Sequence, residues 1–237
     1  MTSPGDVIER DVAQDRWTAV ERYLTDLVIR PDPALDAALA AAQAAGLPAI
    51  SVSPGEGKLL HLLARVRGAK RILEIGTLAA YSTIWLARAL GRGGRVITVE
   101  SNPVHAEVAR DNIARAGLSD VVDLRVGLAL DVLPLVAAEG GDFDMTFIDA
   151  DKANIPYYFE WALKMSKPGA VIIVDNVVRD GRVVDDATDD TSVRGVRRFN
   201  EMLAANPRVT ATTIQTVGSK GYDGFTLVLV GAGERTN

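Results

Sequence analysis

Two short stretches of the sequence end in side chains able to act together. In FDMTFIDADK, Phe143 to Lys152, the apolar residues Phe143, Met145, Phe147 and Ile148 read as a central parallel strand, and Asp149, Asp151 and Lys152 crowd three charges at its carboxyl end. In AVIIVDN, Ala170 to Asn176, a second apolar strand ends in Asp175 and Asn176. The interval between Asp149 and Asp175 suits one strand-helix-strand crossover, so the two strand ends can be neighbours. Two carboxylates and an amide meeting there make an oxygen-rich site for a hard cation. In an open α/β sheet, ligands sit outside the carboxyl ends of the strands, which favours a site over the alternative, a strand-to-helix turn with a polar cap.

A second chemistry is written further upstream. RILEIG, Arg71 to Gly76, reads as a strand that opens into TLAAYS and a helix, the first half of a nucleotide-type βαβ unit. RVITVE ends in Glu100, where a carboxylate can accept both hydroxyls of a ribose. The turn lacks the further glycines of GxGxxG: only Gly76 is present, and Ala79 and Ala80 crowd the place of a pyrophosphate. That combination points to an adenosine ligand without a diphosphate. The GEGK of residues 55–58 is not a phosphate loop, because Val52 stands at the first glycine position, Leu59 replaces Ser/Thr and no strand leads in.

The elements that must hold these groups alternate strand and helix. Before the first strand, Trp17, Val20, Tyr23, Leu24, Leu27 and Val28 recur at helical spacing, and an Ala-rich helix follows Pro31-Asp32-Pro33. Such a stripe could cover the sheet, a substrate or another subunit, and packing against the core is the commoner fate. Ser53, Pro54 and Glu56 spell a capping box at the start of the next helix. A third strand is expected near residues 121–127, then a helix interrupted or kinked at Pro134. Tyr157, Tyr158, Phe159 and Trp161 share one helix and read as core or interface ahead of a substrate wall. Residues 177–192 are polar and acidic, either a lid beside the site or an ordinary surface loop. RVTATTIQTV and GFTLVLV are joined too closely for a parallel crossover and must pair antiparallel. His61 and His105 read as structural or surface residues.

Composition bounds the classes. The 237 residues, 48% hydrophobic and 24% charged, suffice for one large α/β domain over 1–237, with an N-terminal helical extension over 1–50 and the core over 51–230. A net charge of -5 and no basic block disfavour nucleic acid, and the absence of cysteine excludes disulfides, Cys-bound zinc and a thiol nucleophile. The polar, mixed-charge N-terminus and the lack of a long apolar run lead to the expectation of a soluble, cytoplasmic protein without membrane contact.

LEIGTLAAYS, VITVES, FIDADK and VIIVDN, in this order and spacing, resemble the cation-dependent O-methyltransferases of the catechol and caffeoyl-coenzyme A type, from about Ser51 to Val230. The resemblance implies a Rossmann-like class I methyltransferase fold, a seven-stranded, mostly parallel sheet with an antiparallel last strand and helices on both faces. It implies S-adenosylmethionine as methyl donor, a divalent cation such as magnesium, a small vicinal dihydroxy aromatic as acceptor, and a homodimer. Carried over residue by residue, the backbone around Val52 closes over the methionine end, while Glu74, Gly76, Thr77 and Ser82 line the cofactor. Glu100 takes its ribose, Ala129 lies by the adenine and Asp151 receives the methionine amine. Asp149, Asp175 and Asn176 correspond to the metal ligands, Asp149 also facing the cofactor, and Lys152 to the base beside the reacting hydroxyl. The alternative for Lys152 is an ion pair to Asp149 or Asp151, compatible with catalysis. The chain departs from the family pattern at Ala80, often glycine, and at Ile50, often methionine. A methyltransferase for a hydroxylated RNA nucleoside and a noncatalytic adenosylmethionine-binding protein are the competing readings. The acidic balance disfavours the first, and retention of Asp149, Lys152, Asp175 and Asn176 together disfavours the second.

Overall fold

In the computed structural model, which describes residues 4–231, the chain runs α1 (Pro4–Val28), α2 (Pro33–Ala44), α3 (Pro54–Arg67), β1 (Arg71–Ile75), α4 (Tyr81–Ala89), β2 (Arg95–Glu100), α5 (Pro103–Arg115) and β3 (Val122–Val126). It continues through α6 (Ala129–Ala138), β4 (Phe143–Ile148), α7 (Ile155–Met165), β5 (Ser166–Asp175), α8 (Thr191–Ala205), β6 (Val209–Gly218) and β7 (Gly221–Val230). The strands form one sheet in the order β3-β2-β1-β4-β5-β7-β6. β1 to β5 are parallel, β7 lies antiparallel to β5, and β6 pairs antiparallel with β7, as their short connection requires. Successive strands build outward in one direction from β1 and in the other from β4, so a crevice opens between the carboxyl ends of these two neighbours.

The central strands are continuous apolar runs because helices cover both faces. Alternation divides the side chains: Leu73, Ile75 and Ile148 face the core made with α6, α7 and α8, whereas Ile72, Met145 and Phe147 face the core made with α2 to α5. The capping box forms as read, with Ser53 N donating to Glu56 Oε2 at 2.7 Å and Glu56 N donating to Ser53 Oγ at 3.3 Å, and GEGK lies inside α3. α6 runs from Ala129 to Ala138 as one helix with Pro134 inside it, not as two pieces.

One expectation is corrected. The α1 stripe does not bury against this chain's core: Tyr23 and Leu27 are 64% exposed and Val28 69%. α1 is held instead by polar groups on a different face, Gln14 Nε2 donating to Gly218 O at 2.9 Å and Glu21 Oε2 accepting from Ser219 N at 2.6 Å. Anchoring through these atoms leaves the apolar stripe turned outward. Residues 177–192 are likewise anchored: Asp223 Oδ1 accepts from Val178 N and Arg179 N, Arg197 Nη1 donates to Val183 O, and Arg182 pairs with Asp190 at 2.7 Å.

Candidate active site

The turn after β1 is built around a glycine that the geometry requires. Gly76 has φ +97°, and a Cβ there would lie 2.1 Å from the carbonyl oxygen of Asp149, so the turn is pressed against the backbone leaving β4. Asp149 N donates to Ile75 O at 2.9 Å, locking the two strand ends together. Ala80 takes the left-handed conformation that glycine favours, at φ +64° and with no exposed surface. The departure at this position is therefore absorbed as local backbone strain, roughly 1 to 2 kcal/mol for an L-residue, with the left-handed backbone retained.

Glu100 stands at the carboxyl end of β2, 7% exposed. Its Oε2 accepts from Thr77 N at 3.2 Å and Leu78 N at 2.8 Å, and its Oε1 from Asn102 N at 2.9 Å, so it shapes the glycine turn besides offering acceptor lone pairs to a sugar. The His105 ring nitrogen lies 3.5 Å from Glu100 Oε1, which brings this histidine to the crevice although its helical context read as bland. His61 is structural, its Nδ1 3.1 Å from Trp85 O. Glu74 has no exposed surface, and its carboxylate accepts from Ser82 Oγ at 2.7 Å, Thr83 Oγ1 at 2.5 Å and Thr98 Oγ1 at 2.6 Å. It reaches the crevice through Ser82, and through Thr98, whose hydroxyl is 2.6 Å from that of Thr77. Burial pushes the Glu74 carboxyl up to about 7 against the pull of those three donors. Ala129 opens α6 beside this end of the sheet, partly buried against the core.

The charged strand ends converge on the other side of the turn. Ile148 pairs with Val174 in register, so Asp149 and Asp175 leave adjacent strands at the same level. Lys152, 9% exposed, donates from Nζ to Asp149 Oδ1 at 2.7 Å, which selects Asp149 over Asp151 as its partner. Burial first, then the facing Asp149 carboxylate, then Glu56, push the Asp175 carboxyl well above the usual carboxylate range, while Lys152 pulls the other way. Asn176 follows at φ +58°, a conformation that asparagine tolerates better than most residues. Val52 is buried beside Asp175, sharing with Phe147, Ile173 and Phe225 the apolar wall of a small gap that Glu56 also lines.

Asp151 is exposed, and both its oxygens have donors that the sequence reading overlooked: Tyr158 Oη at 2.5 Å and Asn154 Nδ2 at 2.7 Å. The signal was their spacing, three and seven residues after Asp151, a helical stride toward one carboxylate. The other aromatics take packing roles. Phe159 meets Phe199 edge-on at 5.1 Å, Trp161 carries Lys164 at 4.6 Å and Tyr157 carries Arg198 at 5.2 Å.

Comparison with known proteins decides the family. A family model described as O-methyltransferase matches residues 33–230, which takes in α2 as well as the sheet. The chain belongs to the O-methyltransferase family. It is 54% identical over 215 residues to a catechol O-methyltransferase of Niastella koreensis, covering 90% of this chain and 97% of that one. It is 53% identical over 211 residues to a catechol O-methyltransferase of Mycobacterium tuberculosis, covering 89% and 94%. The structure of an O-methyltransferase from Bacillus cereus in complex with SAH superposes with a TM-score of 0.90 at 56% identity, covering 92% of this chain and 99% of that one. The fold is the Rossmann-like fold of S-adenosylmethionine methyltransferases.

In this O-methyltransferase the donor set fits a hard divalent cation. Asp149 and Asp175 are two carboxylates at one level of adjacent strands, and Asp175 is held near-buried against its neighbour's charge with one lysine to balance them. A dication between them would relieve the repulsion and suits oxygen ligands, Asn176 supplying a third. Among the described residues no group of three His, Cys, Asp or Glu gathers, so the amide is needed to complete a set of three side chains. Among the same residues, no helix is long and apolar enough to cross a membrane.

Proposed function

We propose that this O-methyltransferase moves the methyl group of S-adenosylmethionine to one hydroxyl of a vicinal dihydroxy aromatic, using a divalent cation, with magnesium the first choice, at Asp149, Asp175 and Asn176. The observation that carries the reading is the convergence of Asp149, Lys152 and Asp175 at the strand ends beside the Gly76 turn. The relatives named catechol O-methyltransferase support the acceptor class, and the neighbour in complex with SAH, the demethylated product, supports the donor. We further propose a cytoplasmic homodimer joined through the outward stripe of α1, forming a single methyltransferase domain per chain.

The reaction converts a phenol and a sulfonium into an aryl methyl ether, a thioether and a proton. A cation held by Asp149, Asp175 and Asn176 would supply positive charge that favours the ionised form of the acceptor hydroxyl. The chain's own groups do the rest. Lys152 Nζ, oriented by Asp149, receives or holds the acceptor proton. Asp151, fixed by Tyr158 and Asn154, offers its carboxylate to the methionine amine, and Glu100 offers acceptors to the ribose. Val52 and Phe225 shield the reacting end from water. Holding the two reactants in line contributes up to about 7 to 11 kcal/mol where alignment is ideal.

The test is methyl transfer across a series of catechols with and without chelator, in wild type and in Asp175→Ala. Chelator abolishes transfer, magnesium restores it in wild type but not in the variant, and calorimetric binding of S-adenosylhomocysteine survives in both. Full turnover in chelator, or in Asp175→Ala, overturns the cation-dependent reading.

A further inference from the structure

The carboxylate of Glu100 has less to offer a sugar than its place at the end of β2 implies. A carboxylate has about four lone-pair sites. In Glu100, Oε2 accepts from Thr77 N at 3.2 Å and Leu78 N at 2.8 Å, and Oε1 accepts from Asn102 N at 2.9 Å, which leaves about one site, on Oε1. The bonds to the turn cannot be exchanged for bonds to a ligand. Thr77 is buried, and Leu78 and Ala80 hold left-handed backbone, at φ +51° and +64°, in the turn that those bonds brace. Releasing a peptide nitrogen there costs more than a hydrogen bond to one sugar hydroxyl returns, because a buried donor left unsatisfied bears its full desolvation penalty. Glu100 therefore keeps the turn and accepts one hydroxyl of a ribose, and the neighbouring hydroxyl needs another partner.

The side chain beside that remaining site is His105. Its Nδ1 lies 3.5 Å from Glu100 Oε1, longer than the roughly 2.7 to 3.2 Å of a formed N–H···O bond, so the ring stands at the carboxylate without being consumed by it. One residue fixes both groups. Asn102 N donates to Glu100 Oε1, and Asn102 Oδ1 accepts from Val104 N at 2.9 Å as the cap of α5, so the first turn of α5, with His105 its third residue, is set relative to Glu100. The imidazole is partly buried, which narrows the positions the ring can take. A ring nitrogen and a carboxylate oxygen so close together, each with capacity left, match two neighbouring hydroxyls. One hydroxyl donates to Oε1 and the other bonds with Nδ1, and because a hydroxyl both donates and accepts, either tautomer of the ring serves.

We infer that His105 is a second ribose contact for the methyl donor, sharing the two vicinal hydroxyls of the sugar with Glu100 so that each side chain holds one. The inference rests on the S-adenosylmethionine reading above and adds a binding residue to it. With the hydroxyls divided between two elements, β2 and α5, loss of either hydroxyl from the ligand leaves one of the two side chains without its partner.

The experiment measures calorimetric affinity for S-adenosylhomocysteine and for its 2′-deoxy and 3′-deoxy analogues in wild type, His105→Ala and His105→Asn. Metal and acceptor are left out, which keeps the result independent of the cation. His105→Ala binds S-adenosylhomocysteine about fivefold more weakly than wild type, the scale of one neutral hydrogen bond. With whichever analogue lacks the hydroxyl that His105 holds, wild type and His105→Ala bind equally, because the contact is already gone, and with the other analogue the difference persists. His105→Asn, whose amide carries a polar atom near the place of Nδ1, recovers part of the loss. A ring that only packs gives another pattern, weakening by one factor for all three ligands, and that result overturns the contact. Unchanged affinity of His105→Ala for S-adenosylhomocysteine, or His105→Asn binding no tighter than His105→Ala, overturns it as well. Where the unliganded melt shows His105→Ala to be poorly folded, the three-ligand comparison is made with His105→Phe, which keeps a packed ring and removes its hydrogen bond. The donor reading fails separately: a wild type that binds none of the three ligands overturns it and this contact with it. Absence of methyl transfer to catechols, with S-adenosylhomocysteine still bound, leaves the three-ligand comparison to decide for or against His105.

Discussion

Glu74 shows how one side chain can serve a site it does not face. It sits on β1 between Leu73 and Ile75, and its carboxylate gathers the hydroxyls of Ser82, Thr83 and Thr98. Because burial raises its pKa from 4.5 to about 7, the folded chain holds this proton more tightly than the unfolded chain does. The stabilisation from that proton is complete below about pH 4.5 and is lost as pH rises through about 7, an effect on the order of a few kcal/mol. Glu74→Gln has no such proton to lose. The stability of wild type relative to Glu74→Gln, from urea midpoints without ligand, should therefore fall between pH 4.5 and 7 and level off above. A difference that stays constant over that window assigns Glu74 an unperturbed titration. Other groups cancel in the comparison to the extent that they titrate alike in both proteins.

At the scale of elements, the placement of Lys152 depends on how α8 meets the turn that carries it. A Cβ on Gly195 of α8 would lie 2.2 Å from Lys152 O and 2.8 Å from Ala153 Cα, both backbone atoms that cannot swing aside. Alanine usually stabilises a helix interior by about 1 kcal/mol over glycine. Here the overlap dominates, and Gly195→Ala should destabilise by roughly 1 to 3 kcal/mol and slow methyl transfer by displacing Nζ from Asp149. Gly55, near the start of α3, is the control: its Cβ would meet only Ser53 Oγ at 3.8 Å, an ordinary contact. Gly55→Ala should be neutral or stabilising by up to about 1 kcal/mol. Thermal melts of both variants, with turnover measured beside them, check the pair, and equal effects at the two positions would show that helix propensity alone governs.

At the scale of the whole molecule, α1 presents Val20, Tyr23, Leu24, Leu27 and Val28 to the outside while its polar residues grip the β6–β7 turn. A contiguous apolar face rigidly attached to the fold is the sort of surface that a second copy covers. Leu24→Glu combined with Leu27→Glu should convert a dimer to a monomer in sedimentation while the circular dichroism of the fold persists, since neither side chain contributes to the two cores. A wild type that sediments as a monomer, or a doubly charged variant that remains dimeric, removes α1 from the interface.

Much of the layout of the candidate site was legible because its charged and small residues coincide with local pattern. Apolar runs ending in Asp149 and Asp175, a lone glycine at 76 and a carboxylate at 100 each mark a strand end, and strand ends are where such sheets bind ligands. Capping at Ser53 and antiparallel pairing of the last two strands were equally local, dictated by hydrogen-bonding groups and linker length. What only the tertiary structure decided were matters of which surfaces meet. The α1 stripe has helical period wherever it points, so periodicity could not tell the core from the outside. Tyr158 looks like its aromatic neighbours until Asp151 is seen across from it. Lys152 could have paired with either nearby aspartate, and the turn geometry selects Asp149. Arg179 is one charge in a polar loop by sequence, and β5–β7 pairing brings Asp223, distant along the chain, to 3.9 Å from its guanidinium. Chain order sets the chemistry available at each strand end, while the partner of each charged group is set by packing between segments far apart in sequence.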